Sequence, residues 1–88
     1  MEFTGKVIVV LPVKSGTSQK GEWKSQQYVL ETEEQYPKRL LVDVFGDDKI
    51  NQFAIKEGEK ITVHFDPYAN EHDGKWFGSN RVWNVLRV

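Results

Sequence analysis

The sequence contains no cysteine, so disulfide bonds and thiolate metal sites are excluded, while the redox environment of the protein is left open. No apolar run approaches the roughly 18 residues that a membrane-spanning helix needs. Residues 1–6 also lack the basic-then-apolar layout of a signal peptide. We therefore expect a cytoplasmic protein with no membrane partner.

Residues that usually build catalytic or metal sites are also scarce. The two histidines, His64 and His72, are eight residues apart, and this spacing fits no zinc pattern. Ser15 and Ser18 have no histidine placed to activate them as nucleophiles. The sequence therefore predicts that the protein is not an enzyme and that it uses neither a metal nor another cofactor.

What the sequence does contain is a balanced set of charges with an uneven distribution. The 88 residues, which we expect to form one domain over 1–88, carry a net charge of −1. Residues 1–25 carry +2 and residues 75–88 carry +3, whereas residues 26–74 carry −6. If the first two strands and the last one lie together, one face is basic and suits a polyanion. The alternative is that the acids only keep the outer hairpins soluble.

Hydrophobic alternation predicts five β-strands, with one short helix between the third and the fourth. The third strand ends at Gly46, the helix follows at once, and alternating Ile61, Val63 and Phe65 mark the next strand. A single helix at this point is typical of an OB-fold. We therefore predict an all-β, five-stranded OB-fold barrel with strands at 3–11, 23–32, 39–46, 60–66 and 76–88.

Local patterns give more detailed expectations. Residues 13–22 are predicted to form a flexible loop, residues 72–74 a turn, and residues 78–79 a β-bulge. Asp47 or Asp48 is expected to cap the helix, whose buried stripe would be Ile50, Phe53 and Ala54. The aromatic residues expected in the core are Phe3, Phe53, Phe65 and Trp83.

Aromatic residues beside basic residues are the main functional signal, and aromatics make up 12% of the chain. Those that flank predicted loops or turns are Trp23, Tyr68, Trp76 and Phe77. Lys24 and Lys75 are adjacent to two of them. Exposed rings stack on unpaired bases, and lysine or arginine neutralises the phosphates between them. The alternative is that these rings pack across strands and cover the barrel ends.

Leu41, Asp43 and Phe45 share one face of the third predicted strand. A charge between two large apolar groups indicates a face that is not fully dry, because a buried unpaired carboxylate is costly. One interpretation is that this face is a ligand groove with Phe45 as a stacking platform. The other is that barrel curvature buries Phe45 while Asp43 stays in water.

This region resembles the strand–helix–strand core of bacterial single-stranded DNA-binding proteins. The motifs that carry the resemblance are Val44-Phe45-Gly46 with the helix that follows, and Gly58-x-x-Ile61-x-Val63. The resemblance implies that Phe45 stacks on a base. Leu41 stands near the position of the family's other stacking aromatic, and Asp43 stands where a neutral or basic residue would suit DNA better, which implies weak or moderate binding.

Nearly the whole chain is similar to a small bacterial OB-fold family that is a domain of unknown function. The residues that carry this similarity are Phe3-Thr4-Gly5-Lys6, Ser15-Gly16-Thr17, Tyr36-Pro37-Lys38, Val44-Phe45-Gly46, Asn51-Gln52-Phe53, Trp76-Phe77, Arg81 and Trp83. The similarity implies the OB-fold and implies little about the ligand.

We hypothesise a non-catalytic module that binds single-stranded nucleic acid. The residues expected to make contact are Lys14, Lys20, Trp23, Lys24, Phe45, Lys75, Trp76 and Arg81. The alternative is a protein-interaction or assembly module without nucleic-acid binding. Ile8 and Val10 make the first strand apolar on both sides, so this strand would pair with its copy in a homo-oligomer. Oligosaccharide binding fits less well, because the groove face has few clustered polar groups.

Overall fold

The structure is a computed structural model that describes residues 1–18 and 21–87. Six β-strands and one α-helix are present in these residues. In chain order they are β1 Glu2–Val10, β2 Lys14–Ser18, β3 Gly21–Glu31, β4 Arg39–Phe45, α1 Asp47–Phe53, β5 Lys60–His72 and β6 Lys75–Arg87. Within the described ranges, no helix has the length and apolar character needed to cross a membrane.

Five of the strands close into a barrel. Their order is β1-β5-β6-β4-β3, and pairing between β3 and β1 completes the ring. Neighbours are antiparallel except β4 and β6, which pair in parallel at Asp43 and Arg81. The helix α1 lies between β4 and β5, which are the third and fourth strands of the ring in chain order. The predicted OB-fold, with its five-stranded barrel and its helix at this position, is confirmed.

Alternation along the strands separates the barrel core from its outer face. Val42 and Val44 point inward from β4 and are fully buried, whereas Leu41 and Phe45 on the other side of the same strand are each 45% exposed. The interpretation that curvature buries Phe45 is therefore wrong. The buried hydrophobic side chains in the described part of the chain are Val7, Tyr28, Leu30, Val42, Val44, Phe53, Ile55, Ile61, Val63, Phe65 and Val82.

Tyr28 brings a hydroxyl group into this core. The hydroxyl donates to Oε1 of Gln26 at 2.8 Å, and Nε2 of Gln26 donates to the carbonyl oxygen of Leu11 at 2.8 Å. Burial raises the pKa of the Tyr28 hydroxyl, because the charged form would lose its hydration. The two hydrogen bonds satisfy the buried polar groups and join β3 to the segment after β1.

A β-bulge in β6 explains why Trp83 is not in the core. The predicted bulge at 78–79 is wrong, because residues 75–82 pair with β5 in regular register. The register shifts between His64 and Phe65 of β5, which makes Trp83 the extra residue on β6. The bulge turns this side chain outward, where it is 52% exposed. The other three aromatic predictions are confirmed, since Phe53 and Phe65 are buried and Phe3 packs against the core.

The helix begins without the predicted aspartate cap. Its N-cap residue is Gly46, with a φ of 102°, and no side chain caps the first turn by a hydrogen bond. The chain leaves β4 in a conformation that glycine adopts without strain and that an aspartate would resist. Asp47 and Asp48 lie in the first turn, where their charges face the positive end of the helix dipole.

The helix also ends earlier than its apolar stripe indicates. Ala54 follows it in the left-handed conformation, with a φ of 45°, and is exposed rather than buried. Phe53 is the buried residue of the helix, and Ile50 packs partly against the core. The guanidinium of Arg87 holds this end in place by donating to the carbonyl oxygens of Phe53 and Ala54.

Residues predicted to form a flexible loop form a β-hairpin. All five residues of β2 pair with residues 21–25 of β3, outside the ring of five strands. Sequence composition favours a loop here because Gly and Ser weaken strand propensity, but pairing with β3 satisfies the backbone groups. Residues 19 and 20 lie outside the described residues, and the predicted contact residue Lys20 is one of them.

β5 and β6 continue together as a two-stranded arm, residues 67–80, in which the two strands pair with each other. They reverse at Asp73 and Gly74, whose φ values are 52° and 78°. A two-residue turn with both φ values positive matches the twist of a hairpin, and the predicted turn at 72–74 is confirmed. Trp76 and Phe77, beside this turn, are 69% and 56% exposed.

Candidate functional site

Four side chains line up across the outer face of the barrel. Each of them is at a position of its strand where the side chain points away from the core. They are Trp23 from β3, Phe45 from β4, Arg81 from β6 and Tyr68 from β5. We call these four residues the aromatic row. The row crosses four neighbouring strands, with Tyr68 at the base of the arm, and strand pairing sets the relative positions of its members.

Close contacts join the members of the aromatic row. The rings of Trp23 and Phe45 are nearly parallel, at 14°, with centroids 6.1 Å apart. The Arg81 guanidinium carbon lies 5.0 Å from the Phe45 ring centroid and 4.7 Å from that of Tyr68. A guanidinium N–H of Arg81 also donates to the Tyr68 hydroxyl at 3.1 Å. Because guanidinium groups stack on aromatic faces, the row is a nearly continuous surface of flat groups.

Gly16 of β2 decides the position of the indole in this row. Gly16 pairs with Trp23, and a Cβ atom at Gly16 would come within 2.5 Å of the Trp23 ring. Any side chain there would push the indole away from β2. The ring of Trp23 therefore packs against the backbone of β2, and this contact requires a glycine at position 16 of β2.

Phe45 separates two open grooves. The larger one holds about 360 Å³ and is lined by Phe45, Lys49, Asp66, Tyr68, Arg81, Val82 and Trp83. The smaller one holds about 260 Å³ and is lined by Glu22, Trp23, Lys24, Phe45, Gly46 and Asp47. Arg81 and Trp23 already lie beside the Phe45 ring, so a flat ring that stacks on Phe45 would enter through one of these grooves and share the ring with them or displace them.

A second row of side chains, all polar, runs beside the aromatic row. It consists of Lys14 on β2, Gln27 on β3, Asp43 on β4 and Ser79 on β6. Nζ of Lys14 donates to Oε1 of Gln27 at 3.4 Å, Gln27 pairs with Asp43 across the β3–β4 ladder, and Oγ of Ser79 donates to Oδ2 of Asp43. We call these four residues the polar row. It brings hydrogen-bonding groups alongside the flat surface.

The charges around the two rows are mixed in sign. Arg81, Lys14 and Lys49 are cationic, whereas Asp43 and Asp66 are acidic and lie on the same face. Lys24 borders the smaller groove, and its ammonium lies 3.6 Å from a carboxylate oxygen of Asp47. The described residues alone do not give this face the strong positive field of a typical duplex-binding surface.

The structure brings some predicted contact residues together and leaves others apart. Trp23, Phe45 and Arg81 form three quarters of the aromatic row, and Lys14 belongs to the polar row. Lys75 and Trp76 lie at the far end of the arm instead. The register pairs Trp76 with Glu71, on the face of the arm opposite to that of Arg81. Trp76 and the aromatic row therefore do not form one surface.

Several residues of the site were absent from the predicted set, and two of them are aromatic. Tyr68 falls beyond the predicted end of its strand at residue 66, and only the extended pairing of β5 with β6 places it beside Arg81. Trp83 was expected in the core, but it lines the larger groove, and its ring centroid lies 5.2 Å from that of His64. Tyr68 had a sequence signal, since it flanks a predicted turn, and Trp83 lies in a strand whose apolar residues fit either face. Neither signal identified the role of the residue.

Metal ligands do not converge on this face. Over residues 1–18 and 21–87, no three His, Asp or Glu side chains are grouped closely enough to hold a metal ion. The chemistry that the site offers is stacking on flat surfaces, hydrogen bonding along the polar row, and attraction of anions by a few cations.

The fold and the exposed row of flat side chains define an OB-fold barrel with a surface suited to stacking. The chain belongs to the family described as Domain of unknown function (DUF3127), whose model matches residues 2–86. A search of curated proteins gave no match.

Solved structures of single-stranded DNA-binding proteins have a similar fold. The mitochondrial protein Rim1 of S. cerevisiae is 14% identical, with a TM-score of 0.73 over 100% of this chain and 92% of its own. The domain from Synechococcus sp. is 14% identical, with a TM-score of 0.65 over 97% of this chain and 90% of its own. The small protein of Streptomyces coelicolor is 9% identical, with a TM-score of 0.54 over 100% and 92%. At these identities, the similarity shows the fold.

Proposed function

We propose that this protein binds single-stranded nucleic acid across the aromatic row and does so without catalysis. The observation that carries the proposal is the row itself, with Phe45 45% exposed between Trp23 and Arg81 at the centre of an OB-fold face. In OB-folds, the outer face of the second and third barrel strands is a common site for oligonucleotides. Here those strands are β3 and β4.

The exposed rings suit unpaired bases better than duplex. A base contributes about 1–3 kcal/mol when it stacks on an aromatic side chain, and only an unpaired base can present its face. The bases of a duplex are already stacked on one another, so the aromatic row would have no partner in it. The fold of Rim1 and of the two bacterial proteins, all named as single-stranded DNA-binding, is consistent with this ligand class.

The mixed charges set the expected strength of binding. Lys14, Lys49 and Arg81 would neutralise phosphates, while Asp43 and Asp66 oppose them. Because a single strand releases about 0.7 counterions per neutralised phosphate, three cations predict a slope of about −2 in a plot of log affinity against log salt. We therefore expect micromolar rather than nanomolar dissociation constants and a shallow salt dependence.

Fluorescence anisotropy of a labelled, mixed-sequence oligonucleotide of about 20 nucleotides tests this proposal. The full chain should bind it at about 50 mM salt with a dissociation constant in the micromolar range and with the salt slope given above. The duplex of the same sequence should bind at least about tenfold more weakly, since its bases cannot stack on the row. No anisotropy change with protein at tens of micromolar would refute nucleic-acid binding.

An assembly role through β1 is a second proposal, and a specific observation favours it. β1 pairs with β5 as far as Lys6, and the backbone of Val7 bonds with Gly58 and Glu59. Beyond Val7, β1 pairs with β3 alone among the described strands. Val9, in this part of β1, is 39% exposed. A free strand edge with apolar side chains is a template for pairing with another chain, and the occupant would be the same strand of a second copy.

Light scattering coupled to size-exclusion chromatography tests the assembly role. A dimer at high protein concentration should shift to monomer in Val9→Lys, because an added charge at a strand edge opposes pairing. Val13→Lys is the matched control, since Val13 is 49% exposed but lies beyond β1, and it should leave the dimer intact. A wild-type chain that remains monomeric at the highest concentration would exclude this role.

A further inference from the structure

Asp43 is an unexpected residue at the centre of a nucleic-acid surface. It lies between Leu41 and Phe45 on the outer side of β4 and is half-buried. Oγ of Ser79 donates to its Oδ2 atom, which holds the carboxylate in place and leaves Oδ1 available to another donor. An acid at this position repels phosphates, so a ligand that binds here must gain something from it.

The spacing between Asp43 and Phe45 fits a stacked base. They are two residues apart on one face of a strand, which separates them by about 6.6 Å along β4. A base that lies on the Phe45 ring with its polar edge toward the polar row covers this distance with half of its own width and one hydrogen bond of about 2.9 Å. Asp43 lines neither groove, but at this spacing a base stacked on Phe45 with its polar edge toward the polar row would come within reach of the carboxylate.

We propose that Asp43 is a base-specificity residue, which selects bases that present an exocyclic amino group over uracil and thymine. This inference rests on the proposed function. An ionised carboxylate accepts hydrogen bonds and donates none, and Asp and Glu pair with the amino group of cytosine in known recognition modes. Uracil and thymine carry a carbonyl oxygen where cytosine carries this amino group. Two acceptors would then face each other at C4, and the carboxylate could reach the N3–H donor of uracil or thymine only if the base shifted along the Phe45 ring.

Oligo-dC and oligo-dU provide the sharpest comparison, because cytosine and uracil differ at C4 and in the proton on N3 and share the rest of the ring. Anisotropy titrations of about 20 nucleotides of each, at neutral pH and about 50 mM salt, should show that wild type binds oligo-dC about 5-fold or more tightly. In Asp43→Asn, both affinities should rise because the negative charge is lost. The asparagine amide has both a donor and an acceptor, so the ratio of the two affinities should fall to about 1.

Asp48→Asn is the matched control for charge. Asp48 is an exposed aspartate in the first turn of α1, outside both rows, so its replacement removes the same charge and should keep the wild-type ratio. Ser79→Ala is a second variant that leaves Asp43 in place. It releases Oδ2, and the ratio should fall partway, to about 2-fold, while the circular dichroism spectrum stays the same.

The outcomes separate the inference from the proposed function. Equal wild-type binding of oligo-dC and oligo-dU overturns the inference and leaves the function intact. A wild-type ratio that persists in Asp43→Asn also overturns it, and shows that the carboxylate only ties β4 to β6 through Ser79. Binding of neither oligonucleotide refutes the function, and the inference falls with it.

Discussion

Replacing Phe45 by alanine should lower the affinity for single-stranded oligonucleotide about 5- to 150-fold, the loss expected from about 1–3 kcal/mol of stacking energy. Phe45 is the centre of the aromatic row, and it borders both grooves. Its removal also takes away the ring that lies 5.0 Å from the Arg81 guanidinium, so the arginine loses one of the two rings between which it lies. Anisotropy titration against the mixed-sequence oligonucleotide measures the change.

Leu41→Ala is the matched control for this prediction. Leu41 and Phe45 lie on the same strand and the same face, and both are 45% exposed. The two truncations therefore remove apolar groups of similar exposure, but only one removes a flat ring. Phe45→Ala should lose binding and Leu41→Ala should keep it, with each changing the free energy of unfolding by no more than about 1 kcal/mol. Equal losses of affinity would show that the face binds by general apolar contact and not through stacking on Phe45.

Replacing Phe53 by alanine should have the largest effect on folding, with a decrease of about 3–5 kcal/mol in the free energy of unfolding. Phe53 is only 5% exposed, and it is the buried residue of α1. The truncation leaves a cavity between the helix and the barrel core that neighbouring side chains fill only in part. In a small domain this is a large share of the total stability, which is typically about 5–15 kcal/mol.

Urea denaturation followed by circular dichroism measures this loss. Asn51→Ala is the control within the same helix, because Asn51 is exposed and its truncation creates no cavity. Its free energy of unfolding should stay within about 0.5 kcal/mol of that of wild type. An unchanged midpoint in Phe53→Ala would mean that the helix does not close the barrel in solution. The two aromatic truncations should separate binding from folding, although Phe45 ends β4 and Phe53 ends the short helix that follows it.

Family membership and fold similarity do not by themselves identify the function of this protein. The family is defined as a domain of unknown function, and the solved structures that share its fold are at most 14% identical. Proteins that share a fold can have different functional sites and different functions. For this reason the proposals above rest on particular side chains, and Asp43 is the one that would distinguish this chain from a general single-strand binder.

Elements with a strong local signal were correctly predicted. Ile61, Val63 and Phe65 alternate without interruption, and all three are buried on one side of β5. The helix between the third and fourth strands of the ring follows directly from the glycine that ends β4. These features depend on residues a few positions apart, so the sequence carries them in full.

Elements whose structure depends on distant partners were predicted wrongly or not at all. β2 is a strand only because β3 pairs with it, and its composition by itself favours a loop. The bulge at Trp83 comes from the register between β5 and β6, and a pattern read along one strand cannot locate it. The exposed Trp83 and the extended arm that carries Tyr68 both follow from that pairing.

The sequence by itself determined the class of fold, where the five barrel strands and the helix lie along the chain, and the richness in aromatic and basic residues, because alternation and turn signals are local. Only the tertiary structure decided which of these residues share a surface. It joined Trp23, Phe45, Arg81 and Tyr68 from four strands and left Trp76 on the opposite face of the arm. The physical reason is that strand register and barrel closure are set by hydrogen bonds between segments far apart in the chain, and a shift of one residue moves every side chain to the other face.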